Sequence, residues 1–171
     1  VYSVRFGLPK EFIMKRLLLI VLPLFISVGF SQQIIHTETY DNGNIKNITY
    51  HKKTRDVIEK IKEEIYYENG QKKNEETYKD GVKDGKWTTW FENGQKIGEG
   101  TYKNGKRVGS ETRWHENGQK RREGTYKDGE QDGLWTWWDK NGQKSFEGTY
   151  KDGEEDGLWT WWHENGQKSW E

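Results

Sequence analysis

The sequence predicts an all-β protein, an elongated antiparallel meander of repeated hairpins. Three observations carry this. A 24-residue period runs through the C-terminal two thirds of the chain. Asn-Gly and Asp-Gly pairs alternate between β-prone runs, which is the strongest short hairpin signal. Threonine and aromatic residues fill the runs between them, as strands prefer.

The period comes first, because a missed repeat mis-assigns the whole fold. Asn-Gly-Gln-Lys starts at Asn69, Asn93, Asn117, Asn141 and Asn165, and Thr-Tyr starts at Thr77, Thr101, Thr125 and Thr149. Trp90, Trp114, Trp138 and Trp162 keep the same step, with Tyr66 one period earlier. Repeats therefore span residues 66–171. Residues 32–65 hold a divergent first copy, in which Tyr40-Asp41-Asn42-Gly43 matches Tyr67-Glu68-Asn69-Gly70, and an irregular connection. Val57, Ile58, Ile61 and Ile65 have helical spacing, but repeat register makes residues 64–67 a strand. The expectation is a loop or short helical turn over 51–57 and a strand ending at Tyr67.

Within each unit, Asn69-Gly70, Asn93-Gly94, Asn117-Gly118, Asn141-Gly142 and Asn165-Gly166 are assigned to two-residue type I′ turns. Asp80-Gly81-Val82-Lys83-Asp84-Gly85 and its copies are assigned to a longer loop. The register then sets 90 against 97, 89 against 98 and 87 against 100. Trp87 lies opposite Gly100, Trp135 over Gly148, Trp137 beside Phe146 and Trp161 beside Trp170.

The N-terminal stretch has a different character. Met14 is followed by Lys15 and Arg16, then by an apolar run of 14 residues from Leu17 to Phe30. Gly29 and Ser31 are small residues before a cut at Gln32. This is the pattern of a secretory signal peptide over 14–31, and the run is shorter than the roughly 17–25 residues of a membrane span. Residues 1–13 read as upstream sequence from a misassigned start. The expectation is export to the periplasm, the cell envelope or the medium.

Composition narrows the function. The chain carries 28 basic and 28 acidic residues. Without residues 1–31 the balance is 24 to 27, a net charge of −3. No nucleic-acid partner is expected, and with no basic stripe a membrane surface is disfavoured after cleavage. There is no cysteine, which removes disulfides and thiolate metal sites. His36, His51, His115 and His163 are scattered, and two repeats separate His115 from His163. The acidic loops 128–133 and 152–157 lack the spacing of a calcium loop. No catalytic set, metal site or cofactor site is expected.

Tyr102-Lys103-Asn104-Gly105-Lys106-Arg107-Val108-Gly109 and Phe146-Glu147-Gly148-Thr149-Tyr150 resemble the MORN repeat. The longer pattern resembles the MORN repeat variant, found in bacterial proteins grouped as YwqK-type antitoxins. The resemblance covers about residues 37–171. It implies a non-enzymatic protein-interaction module with a toxin-neutralising role. Departures include Glu111 where Trp is otherwise found and Val108 in place of Asp.

The uniform frame of Tyr66, Trp90, Trp114, Trp138 and Trp162 is assigned to an internal structural ladder. The frames that vary between repeats are the candidates for partner contact: Arg113, His115, Trp137, Phe146, Trp161, His163 and Trp170. A protein partner is the first expectation. Glycan stacking on Trp137, Trp161 and Trp170 stays open, as does self-association through edge strands.

Overall fold

The structure is a computed structural model that describes residues 31–170. The expected leader and upstream segment lie outside the described residues, apart from Ser31. The strands are β1 Gln32–Thr39, β2 Ile45–Thr54, β3 Val57–Tyr66, β4 Lys72–Lys79, β5 Val82–Trp90, β6 Lys96–Lys103 and β7 Lys106–Trp114. They continue as β8 Lys120–Lys127, β9 Glu130–Gln131, β10 Gly133–Trp138, β11 Lys144–Lys151, β12 Glu154–Trp162 and β13 Lys168–Trp170. All join one antiparallel sheet in sequence order, with the short β9 pairing β8 just before β10. This is the expected meander.

The two kinds of turn are exchanged relative to expectation. Positive φ at both central residues, the requirement of a type I′ turn, occurs at Asp80-Gly81, Asn104-Gly105, Asp128-Gly129 and Asp152-Gly153. The longer loops assigned there are tight turns, and the strands continue straight from them. At the Asn-Gly-Gln-Lys segments only the glycine has positive φ. There Gly94 N–H donates to Phe91 O at 2.9 Å and Phe91 N–H to Gln95 O at 2.8 Å, closing a three-residue loop. The asparagine serves for its side chain. Asn93 Oδ1 accepts from Gln95 N–H at 3.0 Å, and Asn69 Nδ2 reaches Glu92 O in the next unit at 3.0 Å.

The strand register nevertheless holds. Trp87 pairs with Gly100 and Thr89 with Gly98, while Trp90 pairs with Lys96 and not with Ile97. One extra loop residue is cancelled by one bulged residue, so the error at the turn does not propagate. The bulge also brings Lys96 onto the face of Glu99, giving ion pairs three residues apart in a strand: Lys96–Glu99 at 2.7 Å and Lys144–Glu147 at 2.6 Å.

A second irregularity recurs after each of the four type I′ turns. Glu99 pairs with Thr112 but Thr101 with Val108, so β7 carries two extra residues around Gly109, at φ +68. Two extra residues leave the alternation of faces unchanged. The bulge frees the Arg107 carbonyl for Gly129 N–H of the next turn at 2.9 Å, and Lys83 O accepts from Gly105 N–H at 2.8 Å. Successive units are thus bonded along both edges of the sheet.

The irregular N-terminal part resolves into strands. Residues 51–54 extend β2, a two-residue turn follows, and β3 pairs Thr54 with Val57. The helical spacing does not decide, because the isoleucines gain more from pairing in the sheet than an isolated turn offers. At the other end β13 pairs with β12 only at Trp161 and Trp162.

Candidate functional site on the aromatic face

The sheet has two unlike faces. One carries Thr88, Trp90, Lys96, Glu99 and their copies. The other carries Trp87, Thr89, Gly98, Gly100, Tyr102 and theirs. The second holds the core: Trp135 is fully buried at 0%, with Trp87, Trp159 and Tyr126 at 9% exposure or less.

This differs from the expected division. The uniform Trp90, Trp114, Trp138 and Trp162, like Tyr66, are half-buried. A lysine of the preceding unit lies over each indole, such as Lys96 at 5.7 Å from Trp114 and Lys144 at 5.4 Å from Trp162. That ladder is uniform because each rung repeats the same lysine contact. The variable face is the more deeply packed one.

Its packing depends on glycine seats. Trp135 pairs with Gly148 as expected. Its ring, however, lies over Gly124 of the preceding strand, and Trp159 covers Gly148 in the same way. Trp87 has no such seat behind it, because β4 places Glu76 there. Its ring leans forward over Gly98 and Gly100, where an added Cβ would stand 2.8 Å from the indole Nε1. Both glycines flanking position 111 are therefore taken, Gly100 by Trp87 and Gly124 by Trp135. No seat remains for an indole at 111, and the residue there is Glu111.

Glu111 is 1% exposed and faces three guanidinium groups. Arg113 Nε stands 2.9 Å from Oε1, Arg122 Nη2 2.8 Å from Oε1 and Arg107 Nη1 3.3 Å from Oε2. The arginines lie on aromatic rings: Arg107 is 5.9 Å from the Trp87 centroid and 5.2 Å from Tyr126, Arg113 5.6 Å from Trp87, and Arg122 5.6 Å from Trp135. Arg107 also donates to the Tyr102 and Tyr126 hydroxyls, at 3.3 and 3.1 Å.

The aromatic row continues toward the C-terminus. Trp137 stacks on Phe146 at 4.4 Å and 17°, the pair expected from the register. Trp137 also lies 5.8 Å from both Trp135 and Trp159. Tyr150 meets Trp159 edge-on at 5.2 Å. Trp161 follows at 6.1 Å from Trp159 and is 37% exposed.

Of the candidate contact residues, Arg113, Trp137, Phe146 and Trp161 thus fall in one continuous row. The strand position of Trp170 pairs with Trp161. His115 and His163 stand apart at the three-residue loops. His115 Nε2 bonds Trp138 O at 2.8 Å, the contact that Tyr67 makes to Trp90 O, while His163 is exposed. Arg107 and Arg122 were not among the candidates. The signal for them was the missing glycine at 76, which unseats the aromatic frame and leaves room for charge.

On β3 a second buried carboxylate, Glu64, receives Tyr50, Tyr66 and Lys72 at 2.8–3.0 Å. Burial opposes its ionisation, but hydrogen bonds from Lys72, Lys62 and Tyr50 outweigh that and hold its pKa well below the usual carboxylate range. Burial, then the Glu64 carboxylate, pushes Tyr66 up to about 12. Every polar group in this cluster is engaged internally, which marks it as architectural. Among the described residues no three acidic or histidine side chains converge as a metal site would need.

A one-layer sheet of stacked, identically bonded hairpins defines a repeat-module protein, whose contacts run along its faces. The MORN repeat variant matches residues 61–80, 83–104, 107–128, 131–152 and 155–168. The chain belongs to the MORN repeat variant family. MORN repeats are non-catalytic modules that generally mediate protein or membrane interactions. Comparison with curated proteins gives no significant match.

Proposed function

We propose that this protein is exported and binds a protein partner through its aromatic face, in the manner of a YwqK-type, toxin-neutralising repeat protein. The observation that carries the reading is the unbroken row from Arg113 through Trp137 and Phe146 to Trp161, on a sheet face over which the described residues lay no second layer. Tryptophan, tyrosine and arginine are the residues that dominate binding energy at protein interfaces. Glycan stacking needs coplanar open rings. Trp161 is open, but its neighbour Trp159 is buried and tilted by 35°. The geometry favours a protein. The export half rests on the leader pattern of residues 14–31.

The test is affinity capture from envelope extracts with the tagged full-length chain. A stoichiometric partner lost on Trp161→Ala is the expected result. Recovery of none at several salt concentrations refutes the reading. N-terminal sequencing of the exported chain should give Gln32 as the first residue, and a cell-retained chain beginning at or before Met14 refutes export.

A further inference from the structure

We propose that Arg107, Arg113 and Arg122 form a receiving site for the carboxylates of an acidic segment in a protein partner. The inference rests on the reading of the aromatic face as the contact surface and adds the chemistry of what it contacts.

The first ground is convergence. One unit departs from its neighbours at four positions of this face. Arg107 stands where other units have Lys83, Gln131 and Glu155, and Glu111 where they have Trp87, Trp135 and Trp159. Arg113 replaces Thr89, Trp137 and Trp161, and Arg122 replaces Gly98 and Phe146. The four departures, scattered over 16 positions of sequence, come together, with three arginines around the carboxylate of the fourth.

The second is charge. The missing glycine seat explains why position 111 is not Trp, but it does not explain three arginines. One guanidinium neutralises one carboxylate, and among the described residues Glu111 is the one acid that pairs with these three. The cluster keeps two uncompensated positive charges, half-sunk among indoles where water screens them poorly. Burying unpaired charge is costly, so the arrangement is poised for more anionic partners. Arg122 Nε is buried without a hydrogen-bond partner.

The third is shape. The rings of Trp87, Tyr126 and Trp135 hold the guanidinium planes, so little ordering remains when a ligand arrives. The crevice beneath the cluster, lined by Trp87, Arg107, Glu111 and Tyr126, has no space for even a water molecule. An anion must therefore sit on the surface, over the guanidinium groups. The row Trp137, Phe146 and Trp161 continues from it, so the occupant offers apolar groups beside its acids. Carboxylates fit the guanidinium fork, and an acidic-apolar peptide satisfies both parts of the surface.

The experiment measures peptide binding by tryptophan fluorescence at fixed ionic strength, on chain purified from expressing cells. The probes are a capped Leu-Glu-Glu-Phe-Glu-Leu peptide, its analogue with Gln for each Glu, inorganic sulfate and inorganic phosphate. Saturable binding of the acidic peptide is expected. Arg113→Gln with Arg122→Gln should weaken it at least tenfold, about 1.4 kcal/mol. Lys151→Gln, exposed and outside the cluster, should leave it unchanged. Glu111→Gln should tighten it several-fold, because the cluster gains one net positive charge. Should that variant not fold, the paired arginine variant still decides. Equal binding by wild type and the arginine variant overturns the proposal, as do equal binding of the Gln analogue and absence of binding. Sulfate or phosphate displacing the peptide at matching concentrations assigns the site to free anions and also overturns it. A partner captured from extracts equally well by the arginine variant refutes this inference alone. Peptide binding without a captured partner refutes only the broader function.

Discussion

Replacing Gly124 with Ala tests the glycine-seat account directly. A methyl group there falls within the Trp135 ring, against Cγ, Cδ2 and Cε2. The ring has nowhere to go: it is fully buried, Tyr126 meets it edge-on at 5.1 Å, and Trp137 lies 5.8 Å away. Overpacking a filled core costs about 1–3 kcal/mol, and a rigid double ring held on all sides places this case near 3. Trp135→Ala alone should cost about 3–5 kcal/mol. With the ring gone, Gly124→Ala should instead stabilise by about 0.5–1 kcal/mol, because alanine loses less backbone freedom than glycine in a strand. The cycle therefore predicts a coupling of about 3 kcal/mol or more between the two sites. Urea unfolding followed by both far-UV circular dichroism and tryptophan fluorescence measures each corner. If Gly124→Ala costs the same in both backgrounds, within about 0.5 kcal/mol, the ring does not sit on that glycine and the argument for Glu111 collapses with it.

Glu111→Trp restores the residue of the neighbouring units yet should destabilise by several kcal/mol, since Gly100 and Gly124 are both covered and three arginines lose their partner; a stabilised variant in thermal melts would contradict this. The depressed pKa of Glu64 means its contribution is present above the unfolded value of 4.5 and drains away as pH falls toward the folded value. Glu64→Gln should accordingly be less stable at neutral pH and show a flatter acid limb below pH 4.5 in melting experiments. Asn104 holds φ +48 in a type I′ turn, so Asn104→Ala should cost about 1 kcal/mol and Asn104→Gly much less by denaturant titration. At Asn117, by contrast, the side chain matters: Asp keeps the bond from Gln119 N–H but loses the one to Lys140 O, and should fall between wild type and Ala in the same assay.

Much of the architecture was legible because the relevant physics is local. Alternation assigned Trp87, Thr89, Gly98 and Gly100 to one face, and the Trp137–Phe146 pair followed from counting back from the hairpin. The turns were legible as turns, but not by type. Asn93-Gly94 and Asp80-Gly81 both fit a type I′ turn by composition, and the difference lies in hydrogen bonds to the next unit, 22 or 23 residues away. Residues 51–54, expected in a loop or short helical turn, are strand for a related reason, since pairing with β1 and β3 outweighs a local preference.

The site was legible only in part. Residues that break the repeat were visible as such, and four of the candidates do share a row. Arg107 and Arg122 gain their meaning from Glu111, and Glu111 from the absence of a glycine at position 76, three strands earlier.

The sequence by itself determined the repeat, the single-sheet meander and the membership of each face, because a fixed period and strict alternation leave no other arrangement. Only the tertiary structure decided which face is the interior. In a one-layer sheet neither face is inside by topology. Burial depends on which way each indole leans, and that is set by whether the neighbouring strand offers a glycine for it to lie on.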